Sequence, residues 1–156
     1  MQDARRVISV IVLNEASVLS RITDLFSGRG YNITSLTVAP IPQSRYSRLT
    51  IVTSGSIRVS EQITKQLHKL VPVLKVYEHA DFVEREIAMV KFDIHENLAD
   101  INAICGAYNG KIISSGSDVV IAMVADEPHR VDNFIHIISK YNPKEIVRSG
   151  STTIER

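Results

Sequence analysis

Cysteine is nearly absent from this chain of 156 residues: Cys105 stands alone. A single thiol excludes an intramolecular disulfide and a multi-cysteine zinc site, and it suits a reducing compartment. An excess of one charge is missing as well. Eighteen Lys and Arg face seventeen Asp and Glu, a formal net charge of +1, without the basic surplus that DNA, RNA or an anionic membrane calls for. A small or neutral partner fits better. Nor is there a long apolar run. The segment Val7 to Leu13, broken by Ser9, follows Met1-Gln2-Asp3-Ala4-Arg5-Arg6 and precedes no small-residue cleavage site. It is too short and wrongly flanked for a signal peptide or a membrane span, so it reads as a buried strand and the expected location is cytoplasmic. Low-complexity tracts are lacking too, and 44% hydrophobic with 22% charged residues describes a folded chain with a real core.

What is present is one small topology written twice. The β-branched run Val7 to Leu13 gives way to a helical face of Val18, Leu19, Ile22, Leu25 and Phe26. Gly28 and Gly30 bracket the helix end, where a left-handed residue is commonly needed, and Tyr31 to Ala39 reads as a strand stopping at Pro40. A strand from Arg48 to Thr53 and a helix with Val59, Ile63, Leu67 and Leu70 at helical spacing follow. Pro72 ends that helix, and Val73 to Tyr77 closes a βαββαβ unit.

The second half repeats the order: strand Glu86 to Ile94, helix Leu98 to Tyr108, strands Lys111 to Ser114 and Val119 to Val124, helix Pro128 to Tyr141, strand Glu145 to Arg148. Its helices carry single apolar stripes, Leu98, Ile101, Cys105 and Tyr108, then Val131, Phe134, Ile135 and Ile138. The expected fold is α+β, two tandem ferredoxin-like domains at residues 1–79 and 80–156, joined by a polar connector from His79 to Glu84. Units of this size bury a modest share of their surface, and exposed sheet edges invite pairing with a second copy. A dimer through the first domain is therefore expected.

Catalytic constellations are hard to find. His68, His79, His95, His129 and His136 are scattered, with no H-E-x-x-H motif and no pair at i, i+4, and each reads as solvated. Cys105 lies on an apolar stripe and reads as a small core residue rather than a nucleophile. Gly28-Arg29-Gly30 follows a helix instead of a strand and lacks a third glycine, so it is not a dinucleotide loop. Asp81, Glu84 and Glu86 are split by Arg85 and read as a charged linker, not an acid/base pair. The strands corresponding to the base-stacking strands of RNA-binding domains, Val7 to Leu13 and Arg48 to Thr53, contain no aromatic residue. The expectation is no catalytic residue, no metal site and no nucleic-acid partner.

The turn Asn14-Glu15-Ala16-Ser17-Val18-Leu19 joins the first strand to the first helix. Free N–H groups and the positive helix end suit a carboxylate there, and the Asn14 amide suits an ammonium or a carboxylate. The competing reading is that Asn14 and Ser17 only cap the helix.

The stretch Arg5 to Tyr77 resembles an ACT domain, and specifically that of acetolactate synthase (acetohydroxyacid synthase) small regulatory subunits. The similarity rests on Arg6-Val7-Ile8-Ser9-Val10, Leu19-Ser20-Arg21, Leu25-Phe26, Arg29-Gly30-Tyr31-Asn32-Ile33, Ser35-Leu36-Thr37-Val38 and Gln66-Leu67-His68-Lys69-Leu70. It continues through Glu84-Arg85-Glu86-Ile87 to Lys144-Glu145-Ile146-Val147-Arg148-Ser149-Gly150. The resemblance implies a homodimer whose paired ACT domains bind valine, leucine or isoleucine, with Asn14, Ala16, Ser17, Val18 and Leu19 from one chain and Asn32 and Ile33 from the other. It implies a catalytic large subunit as partner, which would carry thiamin diphosphate, magnesium and FAD, with no cofactor in this chain. The implied function is activation of that enzyme and feedback inhibition in branched-chain amino acid biosynthesis; the alternative is a free-standing ACT sensor acting on another enzyme or regulator. One departure stands out: Ser17 occupies a position where the family usually has glycine.

Overall fold

A computed structural model describes residues 3–156; Met1 and Gln2 of the leading segment lie outside the described residues. The chain forms two compact units, one running to Phe82 and including Glu155 and Arg156, the other Val83–Ile154. The first contains β1 (Ala4–Leu13), α1 (Val18–Gly28), β2 (Ile33–Pro40), β3 (Tyr46–Gly55), α2 (Ile57–His68) and β4 (Val73–Glu78). Its antiparallel sheet has the order β2-β3-β1-β4. Ile8, Val10 and Val12 of β1 alternate onto the helix-covered face with Leu49, Ile51 and Val76, against Val18, Ile22, Phe26, Ile63 and Leu67.

Local chemistry fixes the helix ends. Gly30 adopts φ 69, which lets α1 close as a Schellman motif: Gly30 N–H donates to Ser27 C=O at 3.1 Å and Tyr31 N–H to Phe26 C=O at 2.9 Å. The Phe26 and Tyr31 rings meet edge to face, centroids 6.3 Å apart, supplying the apolar contact this motif favours. At the start of α2 the Ser56 hydroxyl accepts from Val59 N–H.

The second unit contains β5 (Phe82–Asp93), α3 (Leu98–Ala107), β6 (Gly110–Ser115), β7 (Val119–Asp126), α4 (Pro128–Ile138), a 3-10 turn Ser139–Tyr141, β8 (Glu145–Arg148) and β9 (Thr152–Glu155). The sheet order is β6-β7-β5-β8, with β9 also pairing β5. Ala88, Val90 and Phe92 lie beneath Ile101, Cys105, Val131, Phe134 and Ile138. Asn97 caps α3 reciprocally, accepting from Asp100 N–H while its amide donates to the Asp100 carboxylate.

Three local readings need correction. The connector shrinks to His79, Ala80 and Asp81, because β4 runs to Glu78 and Phe82 already opens β5. Glu86 is buried, not a solvated linker carboxylate: Arg148 Nε donates to it at 2.6 Å and Ser151 Oγ at 2.8 Å, the pairing that a buried charge needs. His79 is buried as well, with its Nε2 2.5 Å from Ser9 Oγ and its ring against Tyr77 and Phe82. The additional strand β9 carries mostly polar residues and only Thr153 is buried in it, so it left no apolar period to read.

Asp126 is a second buried carboxylate, accepting from Arg130 Nε at 2.6 Å, Glu127 N–H at 2.8 Å and Asn109 Nδ2 at 3.1 Å. Burial by itself would raise its pKa, but the Arg130 hydrogen bond, the Glu127 amide and Asn109 outweigh it and hold the carboxyl below the ordinary carboxylate value. A lowered folded-state pKa stabilises the protein above the unfolded value of about 4 and ceases to do so as pH falls through the folded value. Asp126→Asn is expected to cost about 1–3 kcal/mol at pH 7. In urea titrations the gap from wild type should narrow below about pH 4; a gap that persists unchanged into acid would show that the carboxylate charge is not the source.

Candidate functional site

The end of β1 is held on two sides. Leu13 N–H donates to Pro72 C=O and Asn14 N–H to Arg45 C=O, each at 2.9 Å. Glu15 N–H folds back onto Leu13 C=O at 2.9 Å, so the chain leaves the sheet through a tight turn into α1. Ser17 is the residue preceding α1, and it stands at φ 76, in the left-handed region. A serine there carries a steric cost of roughly 1–2 kcal/mol that glycine escapes.

The capping reading fails for Ser17, whose hydroxyl makes no cap hydrogen bond. The amides of Leu19 and Ser20 precede the first bond of the helix, from Arg21 N–H to Ser17 C=O at 3.0 Å. These donors face outward at the positive end of α1.

Beside them is an open recess of about 100 Å³ lined by Val12, Leu13, Asn14, Glu15, Val18, Leu19, Val38, Ser47 and Leu49. Its floor is buried Val12, Val18 and Leu49, while Leu19 and Val38 stand at its rim, 41% and 46% exposed. The geometry sets polar donors above a small branched-aliphatic floor. Ala16 and Ser17 are exposed on the turn.

Asn32 and Ile33 are elsewhere. Ile33 pairs with Thr53 and Thr53 with Arg6, whereas Leu13 pairs with Tyr46. The two sets thus lie seven residues apart along β1, about 23 Å at 3.3 Å per residue. Thr53 Oγ1 donates to Asn32 C=O at 2.5 Å, which anchors that end of β2. Within one chain the sequence-derived residues do not converge.

The lining residues Val12, Val38, Ser47 and Leu49 escaped sequence reasoning because they depend on strand register. Val12 opposes Ser47, and Val38 opposes Leu49. No local motif encodes those pairings.

Other candidate chemistry is spoken for. Burial pushes the Cys105 thiol up, away from a reactive thiolate. Among the described residues no group of three or more His, Cys, Asp or Glu is arranged to hold a metal ion, and no helix is long and apolar enough to cross a membrane. A larger recess of about 210 Å³ lies in the second unit between Met89, Val90, Lys91, Ile121, Glu145 and Val147. Its two charges are already paired, Lys91 Nζ to Glu145 Oε2 at 2.6 Å, so the turn before α1 offers the better amino-acid contacts.

The first unit and its turn define the class: a protein built around an ACT domain. Residues 8–75 match the family model for the AHAS small subunit-like ACT domain, and residues 85–156 match that for the small subunit of acetolactate synthase. The chain is 41% identical over 156 residues to the acetolactate synthase isozyme 3 small subunit of Escherichia coli K12, covering 97% of this chain and 96% of that one. It is 42% identical over 153 residues to the acetolactate synthase small subunit of Buchnera aphidicola subsp. Baizongia pistaciae, covering 96% of each. The crystal structure of the small subunit from Thermotoga maritima superposes with a TM-score of 0.91 at 32% identity over 98% of both chains. The chain belongs to the acetolactate synthase small subunit family.

The left-handed serine yields a direct test. Ser17→Gly should raise stability by roughly 0.5–1 kcal/mol, the benefit of relieved strain less the added freedom of the unfolded chain. Chemical denaturation reads this out; an unchanged or lower midpoint would show that residue 17 bears no strain.

Proposed function

We propose that this chain is a regulatory subunit without chemistry of its own, which activates the thiamin-diphosphate-dependent large subunit and makes it responsive to valine or another branched-chain amino acid. The observation that carries the effector half of this reading is the turn Asn14–Leu19: the Leu19 and Ser20 amides ahead of the first helical bond, and an Asn14 side chain that has no hydrogen-bond partner among the described residues, above a floor of Val12, Val18 and Leu49. An α-carboxylate fits the amides of Leu19 and Ser20, an ammonium fits the Asn14 carbonyl oxygen, and an isopropyl group fits the floor.

The second half of the site comes from another copy. β2 is an edge strand, and pairing two such edges side by side in antiparallel sense carries Asn32 and Ile33 of one chain toward Asn14 of the other. This also accounts for the separation of the two sets within one chain. A ligand between two chains biases their packing by its differential affinity for the two arrangements, which is the physical content of feedback control. The membership of the family supports the large subunit as the partner, and the thiamin diphosphate, magnesium and FAD of the reaction would reside there.

The test is a titration of valine, leucine and isoleucine into the reconstituted two-subunit enzyme. Asn14→Ala removes a hydrogen bond to a charged group and should raise the half-inhibitory concentration about 10-fold to 100-fold. Ser17→Gly, which opens the approach to the backbone, should lower it. Unchanged responses in both variants would refute this site, and effector binding without any activation of the large subunit would instead indicate a free-standing sensor.

A further inference from the structure

The first unit keeps two large aliphatic side chains in water at the end of the sheet that carries the effector turn. Val71 is 92% exposed and Leu74 59%. Leu74 is no accident of a loop. The register of β1 and β4 shifts between Ile11, opposite Lys75, and Val12, opposite Val73, so Leu74 is the extra residue of a bulge. A bulge re-aims a side chain away from the regular pleat and is a built feature of a strand. Val71 and Leu74 line one recess together with Leu13, Arg45, Tyr46, Pro72 and Val73.

The rim of this surface is basic. Arg45 lines the recess and Lys75 follows Leu74 in the strand; Lys75 is exposed and makes no ion pair among the described residues, its Nζ lying 4.5 Å from the centroid of the Tyr77 ring, and Arg45 donates to the Tyr46 hydroxyl at 3.3 Å and lies over its ring. Two copies of such a surface would bring like charges together at their rims. An apolar centre beside basic groups that, among the described residues, carry no carboxylate partner calls for a different protein that offers an apolar, acid-rimmed surface.

We propose that Val71, Leu74 and Tyr46, with Arg45 and Lys75 beside them, form the surface that grips the catalytic large subunit. The proposal rests on the regulatory-subunit reading and adds the place of contact. The surface is mechanically joined to the effector turn: the amides of Leu13 and Asn14 donate to the carbonyls of Pro72 and Arg45, and Leu13 lines both recesses. A ligand that moves the turn therefore moves the grip.

The experiment titrates full-length Val71→Asp/Leu74→Asp and Arg45→Glu/Lys75→Glu variants into the large subunit and follows activation. Branched-chain amino acid binding by calorimetry and oligomeric state by sedimentation are measured on the same isolated chains. The apolar pair of changes should raise the concentration for half-maximal activation at least about tenfold, with the wild-type oligomeric state and effector affinity retained. The charge reversals should weaken activation at low salt, and their deficit should shrink as salt rises. Activation unaltered by Val71→Asp/Leu74→Asp overturns the proposal, as does dissociation of the isolated chain into monomers, which would assign the surface to self-association. Wild-type chain that activates nothing overturns the regulatory-subunit reading itself, and this surface assignment with it.

Discussion

Each unit is organised by one strand that has no free side. β1 is hydrogen-bonded to β3 and β4 along its edges, and its inward residues Ile8, Val10 and Val12 are at most 2% exposed beneath two helices. β5 holds the same position in the second unit, between β7 and β8 with Ala88, Val90 and Phe92 inward. Such a strand cannot slip by one residue without turning its apolar set to the wrong face. Its end is therefore fixed in space, and in the first unit that end is Leu13, the last residue before the turn into α1. A rigid strand delivers a strained turn, and the strain is stored where a ligand would touch.

The position of Ser17 ties sequence, backbone and function together. A left-handed residue is required for β1 to pass directly into α1 with the first amides of the helix directed outward. Glycine would satisfy the backbone without cost, while serine satisfies it at a cost and places a hydroxyl beside the amides. In the proposed site that hydroxyl and its Cβ narrow the approach to the backbone, which sets the direction of the effect on effector sensitivity. The same turn is hydrogen-bonded to Pro72, between the exposed Val71 and the start of the strand that carries Leu74, so effector and enzyme contacts in this scheme share one short stretch of chain.

Much of this was legible in the residues. Alternation and helical spacing located the four α-helices and eight of the nine strands of the described residues, and the Gly30 stop gained its explanation in the pairing of Phe26 with Tyr31. What sequence alone left out depends on long-range pairing. Glu86 read as a linker carboxylate because Arg148, its partner, is 62 residues away. His79 read as solvated because Ser9 and Glu155, the latter 3.6 Å from its Nδ1, are remote in sequence. Part of the lining of the recess beside the turn was invisible for a related reason: Val38, Ser47 and Leu49 meet only through strand register. Local pattern reveals elements and caps, while polar burial and concave surfaces arise from which elements meet.

The most direct measurement for a site shared between chains is complementation in mixed dimers. Asn14→Ala and Asn32→Ala proteins are prepared separately, shown to bind branched-chain amino acid weakly, then unfolded together and refolded as a mixture. If Asn14 of one chain meets Asn32 of the other, each mixed dimer holds one intact and one doubly altered site, and tight binding reappears in calorimetry on mixing. A mixture that binds no better than either parent would contradict the shared site.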